Sequence, residues 1–184
     1  MSITPIEHWV DGAAWAGTSE RTGDVFNPAT GTVTGTVALA SAADVGVAVA
    51  AAEAAWPAWR DASLATRLKV MFAFRELLNA RKQELAEILT AEHGKVLADA
   101  LGEIARGLEV VEFACGAGHL LKGEYSESVS TNVDVYTVRQ PVGIVGVISP
   151  FNFPAMVPLW FLPIALVSGN AVVLKPSEKD PSAS

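Results

Sequence analysis

The chain has 184 residues, 51% of them hydrophobic, which suits one domain with a packed core and argues against disorder. Thirteen basic and twenty acidic side chains give a formal charge of −7 spread along the chain, so nucleic acid is an unfavourable partner. The single cysteine, Cys115, excludes an internal disulfide, and the first fifteen residues lack a signal-peptide pattern, so we expect a cytoplasmic protein.

Short strands and three helices are predicted for the first two thirds of the chain. The strands are expected at Trp9–Val10 and Val25–Phe26, and over Thr32–Leu39 after the turn Asn27-Pro28-Ala29-Thr30-Gly31. The helices are expected from Ser41 to Pro57, from Ser63 to His93 with Gly94 as the stop, and from Val96 to Cys115 with Gly116 and Gly118 ending it.

Loose alternation of polar and apolar residues from Tyr125 to Val138 predicts an edge arm or hairpin. Beyond it, Val142–Ile148 and Ala171–Leu174 are short and apolar throughout, which is typical of parallel strands covered on both faces. A helix-length segment lies between them, and Pro163 must kink that helix or mark a later start. This order predicts a right-handed βαβ unit of a doubly wound α/β sheet.

A membrane-spanning segment is an alternative for the stretch between Arg139 and Lys175, which contains no charged residue. A bilayer crossing needs roughly 20 continuous apolar residues. Here three prolines interrupt the apolar run and asparagines bound it, so we expect no membrane partner.

Ligands of open α/β sheets bind at the carboxyl ends of the strands. Two polar segments lie there, Ser149-Pro150-Phe151-Asn152-Phe153-Pro154 and Lys175-Pro176-Ser177-Glu178-Lys179. Together with the Asn27–Gly31 turn, they resemble the N-terminal portion of the aldehyde dehydrogenase family in order and spacing. The segments Val111–Gly116, His119–Glu124 and Pro150–Trp160 further resemble the CoA-acylating methylmalonate-semialdehyde dehydrogenases.

The resemblance implies roles for the strand-end residues. Asn152 corresponds to the oxyanion-hole asparagine, although by sequence alone it could simply cap the crossover helix. Lys175 and Glu178 correspond to the pair that binds the adenosine ribose of NAD, the alternative being a solvated charged turn. Ser149 and Phe151 would line the cofactor mainly through their backbone, and Lys179 would lie near the adenosine.

Arg106 lies between Gly102 and Gly107, which would let another group approach the helix closely. The resemblance implies that Arg106 holds the carboxylate of a semialdehyde acid, a task suited to a bidentate guanidinium. The alternative is a salt bridge to Glu103 or Glu109.

Cys115 has His119 four residues on, but its neighbours are apolar and glycines break the helix, so we expect a buried structural thiol. The family's nucleophilic cysteine and general-base glutamate belong to motifs beyond Ser184. His8, His93 and His119 are scattered, so no metal is expected. No Gly-x-Gly-x-x-Gly motif occurs, so the cofactor is expected to dock in this family's atypical way.

The resemblance therefore implies an α/β chain in which residues 1–184 form the N-terminal part of the NAD-binding domain. It has N-terminal helices, a Rossmann-like parallel sheet and an oligomerisation arm at about 125–138, and the catalytic domain is absent. The implied reaction oxidises a short acid semialdehyde with NAD and transfers the acyl group to coenzyme A, in a homo-oligomer. The alternatives are an ordinary aldehyde dehydrogenase that hydrolyses its acyl-enzyme, and a non-catalytic interaction module.

Overall fold

The computed structural model describes residues 3–184; Met1 and Ser2, the start of the segment that lacks a signal-peptide pattern, lie outside the described residues. The strands are β1 (Thr4–Ile6), β2 (His8–Val10), β3 (Ala13–Trp15), β4 (Thr22–Asn27), β5 (Thr32–Ala38), β6 (Tyr125–Ser130), β7 (Val133–Tyr136), β8 (Ile144–Ile148) and β9 (Ala171–Lys175). The helices are α1 (Ala42–Asp61), α2 (Leu64–Ala80), α3 (Lys82–His93), α4 (Leu97–Cys115), α5 (Ala117–Leu120) and α6 (Met156–Val167), followed by a 3₁₀ turn at Pro181–Ala183.

The strands predicted near the N-terminus are confirmed. β2 and β3 form a hairpin, and β5 lies between parallel β1 and antiparallel β4. In the turn between β4 and β5, the side-chain carbonyl oxygen of Asn27 accepts a hydrogen bond from the backbone N–H of Ala29 at 2.9 Å. This turn packs on the end of α3, where Gly94 has φ +87° and an added Cβ would lie 2.6 Å from Cγ of Pro28. Position 94 therefore needs glycine for two reasons: the left-handed backbone that ends α3 and the close contact with Pro28.

The prediction that the first helix ends at Pro57 is wrong, because α1 continues to Asp61. Proline removes one backbone donor from a helix, but tertiary contacts compensate here. The indole N–H of Trp56 donates to the carbonyl of Gly169 at 3.0 Å, and that of Trp59 donates to Leu166 at 2.8 Å. These two bonds hold the last turns of α1 against the end of α6 and the connection that follows it.

The predicted helix from Ser63 to His93 is two helices, α2 and α3, separated at Arg81 (φ −108°, ψ 13°). Both helices contact α4, and α3 buries Ala86 and Leu89 completely in the same core as Ile104. Packing against α4 therefore decides the break.

The third helix ends at Cys115 next to Gly116, as predicted, but Gly118 lies inside the short helix α5 and ends nothing. Buried side chains from α2, α3, α4, α6 and the 3₁₀ turn form the main core: Leu78, Ala86, Leu89, Ala100, Ile104, Val111, Ala155, Leu159 and Ala183.

The predicted arm is a hairpin of β6 and β7, and every residue in these strands is exposed. The hydroxyl of Tyr125 donates to the carboxylate of Asp134 at 2.8 Å across the hairpin.

The predicted βαβ unit is confirmed: β8 and β9 pair in parallel with α6 between them, and α6 begins at Met156 and runs through Pro163. The expectation that both strands are covered on two faces is wrong for the end of β8, because Ile148 is 83% exposed among residues 3–184. Within these residues, no helix combines the length and the apolar character that a bilayer crossing requires.

Candidate functional site

The carboxyl ends of β8 and β9 lie side by side. Ile148 is opposite Lys175 in the register, and the backbone N–H of Ser149 donates to the carbonyl of Lys175 at 3.1 Å. The ammonium of Lys179 lies 4.2 Å from the ring centroid of Phe151, within the range of a cation–π contact. The two segments singled out in the sequence are therefore brought together, and they form one edge of the sheet.

Asn152 is exposed in the turn between β8 and α6. Its backbone carbonyl accepts a hydrogen bond from Lys95 at 3.1 Å. Its side-chain amide is exposed and has no hydrogen-bond partner within residues 3–184. The alternative that Asn152 caps the crossover helix is wrong, because the N-cap residue of α6 is Ala155 and that residue has no capping side chain.

The first amides of α6 are instead bonded by a carboxylate from another helix. Glu103 of α4 accepts from the backbone N–H groups of Ala155 and Met156 at 2.9 and 3.0 Å, and it forms an ion pair with Lys95. The side chains of Glu103 and Lys95 are 1% and 11% exposed. Sequence reasoning missed this pair, although Glu103 lies on the same stripe of α4 as the buried Ala100, Ile104 and Gly107.

Lys175 and Glu178 form an ion pair at 2.6 Å, and both side chains are more than half exposed. The hydrogen bond from Lys175 lowers the pKa of the Glu178 carboxyl, so this group is ionised at neutral pH. A cationic donor and an anionic acceptor therefore stand next to each other at the end of β9. Such a pair can bind vicinal hydroxyl groups, which both donate and accept hydrogen bonds.

Ser149 is buried at the end of β8, and its hydroxyl oxygen has no hydrogen-bond partner within residues 3–184. Asp180, after β9, is buried as well, and one of its carboxylate oxygens lacks a partner in the same part of the chain. Burial raises the pKa of the Asp180 carboxyl. Sequence reasoning did not single out Asp180, since one acidic residue before a proline is common in exposed turns.

Arg106 on α4 is 71% exposed and pairs with Glu109 at 3.3 Å, which is one of the two alternatives named from the sequence. Of its flanking glycines, Gly107 is closely approached, since an added Cβ would lie 2.5 Å from Leu159 of α6. The same expectation is wrong for Gly102, which has no such neighbour within 4 Å.

Cys115 is half-buried and packs against a second core cluster that includes Met71 and Val167. Burial raises the pKa of the Cys115 thiol, which keeps it protonated and weakly reactive. His119 is exposed. No group of three histidine, cysteine or acidic side chains within residues 3–184 is arranged to hold a metal ion.

Comparison with known proteins gives a consistent result. The model of the aldehyde dehydrogenase family matches residues 15–184. A malonate-semialdehyde dehydrogenase of Pseudomonas aeruginosa is 47% identical over 97% of this chain and 36% of its own length. The mitochondrial acylating methylmalonate-semialdehyde dehydrogenase of Arabidopsis thaliana is 50% identical over 88% of this chain and 26% of its own length.

A solved structure from Sinorhizobium meliloti 1021, described as a methylmalonate-semialdehyde dehydrogenase complexed with NAD, superposes with a TM-score of 0.96 at 50% identity. The match covers 99% of this chain and 37% of that one. The chain therefore spans about a third of the length of the relatives that it matches.

Proposed function

The chain belongs to the aldehyde dehydrogenase family, and from this premise we propose that the protein oxidises a short acid semialdehyde, methylmalonate or malonate semialdehyde, with NAD. The 184 residues are the N-terminal part of its NAD-binding domain. They supply the oxyanion donor and part of the NAD site, while the nucleophilic cysteine and the general base come from outside them. The names of the similar proteins support this substrate class.

One observation carries the proposal: the amide-bearing turn after β8 and the charged pair after β9 lie at the same sheet edge, joined by the bond from Ser149 to Lys175. A reacting carbonyl and a dinucleotide must meet in such an enzyme. Neighbouring carboxyl ends of parallel strands are where an α/β sheet brings two ligands together.

Asn152 is proposed as the oxyanion donor. When a thiol attacks an aldehyde, negative charge develops on the carbonyl oxygen, and a pre-oriented amide N–H stabilises that charge. Such a donor contributes about 3 kcal/mol to the transition state. The exposed amide of Asn152, on a turn whose backbone carbonyl is held by Lys95, meets the need for a donor that is oriented in advance.

Lys175 and Glu178 are proposed to bind the adenosine ribose, with the ammonium donating to one hydroxyl and the carboxylate accepting from the other. Phe151 and Ser149 follow the neighbouring strand β8 and are proposed to contact the cofactor mainly through their backbone. The Ser149 hydroxyl is a buried polar group without a partner within residues 3–184. Lys179 lies at the adenosine side through its contact with Phe151. NAD, when bound, supplies the hydride acceptor.

Arg106 is proposed to bind the substrate carboxylate. An exposed ion pair contributes about 0–1 kcal/mol, so the bond to Glu109 is easily exchanged for a bidentate bond to a ligand. Arg106 is three residues beyond Glu103, which contacts the start of α6, so both side chains project from neighbouring turns of α4.

Two further parts of the proposal concern the complete enzyme. We propose coenzyme A as the acyl acceptor, in keeping with the acylating relative from Arabidopsis. We also propose that the hairpin at 125–138 joins subunits of a homo-oligomer, because exposed apolar side chains such as Tyr125, Val135 and Tyr136 are suited to pairing with another chain.

The proposal is tested by assaying NADH formation by the full-length protein with methylmalonate semialdehyde, with and without coenzyme A. We expect turnover that requires coenzyme A, and a loss of about 10²–10³-fold in kcat for Asn152→Ala with NAD binding retained. Gln83→Ala, which removes an exposed amide from α3, is the matched control. Full activity of Asn152→Ala would contradict the oxyanion role, and a free acid formed without coenzyme A would indicate the hydrolytic reaction.

A further inference from the structure

The turn that carries Asn152 is held by a buried ion pair that the proposed chemistry does not itself use. Glu103 of α4 contributes both carboxylate oxygens: one accepts from the backbone N–H groups of Ala155 and Met156, and the other pairs with Lys95. The ammonium of Lys95 then donates to the carbonyl of Asn152 at 3.1 Å.

Lys95 makes a further contact in this turn, since its ammonium lies 4.7 Å from the ring centroid of Phe153. Two side chains from outside the turn therefore contact residues 152, 153, 155 and 156. These contacts restrain the second half of the turn, from Asn152 to the start of α6.

The free energy of burying the Lys95–Glu103 ion pair favours a specific role over general stabilisation of the fold. Two charges withdrawn from water incur a desolvation cost that their mutual attraction often only offsets, so a buried ion pair is weak evidence for stability. The carboxylate complements the positive end of α6 and accepts from the amides of Ala155 and Met156, and these contacts involve Glu103 alone. They do not explain the link through Lys95 to the carbonyl of Asn152.

We propose that Lys95 and Glu103 are positioning residues that lock the turn between β8 and α6, so that the Asn152 amide is aligned with the reacting carbonyl oxygen. This inference rests on the proposed oxyanion role of Asn152. Neither residue needs to touch the aldehyde, because both act through the backbone of the turn.

The test uses the full-length enzyme and the variants Lys95→Met, Glu103→Gln and Asn152→Ala. A displacement of about 1 Å in a catalytic group can reduce the rate about 100-fold, so we expect Lys95→Met to lower kcat by about 10–100-fold. We expect KM for the aldehyde and Kd for NAD to change by less than about twofold, since binding contacts are intact. Glu84→Gln, which breaks the exposed pair with Arg81, is the control.

A double-mutant cycle separates positioning from a purely structural role. In the Asn152→Ala background there is no amide left to align, so adding Lys95→Met is expected to cost less than about threefold in kcat. Additive losses, or a wild-type kcat in folded Lys95→Met, would overturn the inference. If Asn152→Ala alone keeps full activity, the proposed function itself fails, which is a different result.

Folding failure is also decisive. Glu103→Gln keeps an oxygen that accepts from Ala155 and Met156 but weakens the attraction to Lys95. If Lys95→Met does not fold, Glu103→Gln takes its place in the kinetic comparison. The combined variant Lys95→Met/Glu103→Gln leaves no unpaired buried charge. If even this neutral variant fails to fold, the pair supports the whole fold rather than the Asn152 turn, and the inference is wrong.

Discussion

The contact between α4 and α6 predicts opposite effects for two alanine substitutions on one helix. An added Cβ at Gly107 would lie 2.5 Å from Cδ1 and 2.9 Å from Cβ of Leu159, so no rotation of the leucine side chain relieves the overlap. Overpacking of this kind costs about 1–3 kcal/mol. Alanine gains about 1 kcal/mol over glycine inside a helix, so the net loss for Gly107→Ala is about 0–2 kcal/mol.

Gly102→Ala is the matched control, because Gly102 is exposed on α4 and an added Cβ would have no such neighbour within 4 Å. This variant is expected to gain about 0.5–1 kcal/mol. The difference between the two variants cancels the helix-propensity gain and isolates the steric cost, about 1–3 kcal/mol.

The assay is urea unfolding of the full-length protein, followed by tryptophan fluorescence. We expect the unfolding midpoint of Gly107→Ala to lie below that of Gly102→Ala. We also expect a lower kcat for Gly107→Ala, because Leu159 lies on the helix that follows Asn152. Equal midpoints for the two variants would refute the packing argument.

Four other changes have defined outcomes. Hydrogen bonds from Thr18 and Ser41 hold the pKa of the Asp44 carboxyl well below its usual range. The ionised carboxylate therefore stabilises the folded state at a pH above the unfolded pKa of about 3.9, and this contribution is lost as the pH falls through the folded pKa. Thermal melts of Asp44→Asn should therefore show destabilisation at pH 7 that shrinks in acid; a pH-independent effect contradicts this. Cys115→Ser should keep the kcat of the full-length enzyme, because burial holds the thiol protonated, and a tenfold loss would show otherwise. Residues 1–184 alone should produce no NADH. They should also self-associate through exposed apolar surface near Ile148, and light scattering that shows a stable monomer would contradict the self-association. The full-length enzyme should prefer NAD to NADP, because Glu178 would repel a 2′-phosphate, and Glu178→Gln should narrow that preference; equal kcat/KM values with both cofactors would exclude Glu178 from the ribose site.

The parallel unit was predictable because its signals are local. Two β-branched apolar runs flank a helix-length segment, and the rule for strand ends points to Asn152 and Lys175 without any knowledge of tertiary contacts. The third helix was predictable for a similar reason, since its apolar residues keep the helical spacing up to Cys115. Family membership, inferred from motifs at these same positions, is confirmed by the match to residues 15–184.

The missed features depend on contacts between residues far apart in the chain. Arg81 is flanked by good helix formers and no glycine or proline, so only the packing of α3 on α4 reveals the break. Pro57 looked like a helix end because the bonds from Trp56 and Trp59 to residues more than a hundred positions away were not visible. In both cases tertiary structure overrides the local preference.

Glu103 could have been found from the sequence, and its position connects the proposals. A carboxylate on the apolar stripe of a helix needs a buried partner, and the stripe of α4 contains Glu103 between Ala100 and Gly107. Within one turn, α4 thus holds the Asn152 turn through Glu103, sets the distance to α6 through Gly107 and presents Arg106. The Asn152 turn and the Arg106 side chain are therefore both anchored to α4, so the proposed oxyanion and carboxylate contacts depend on the position of one helix.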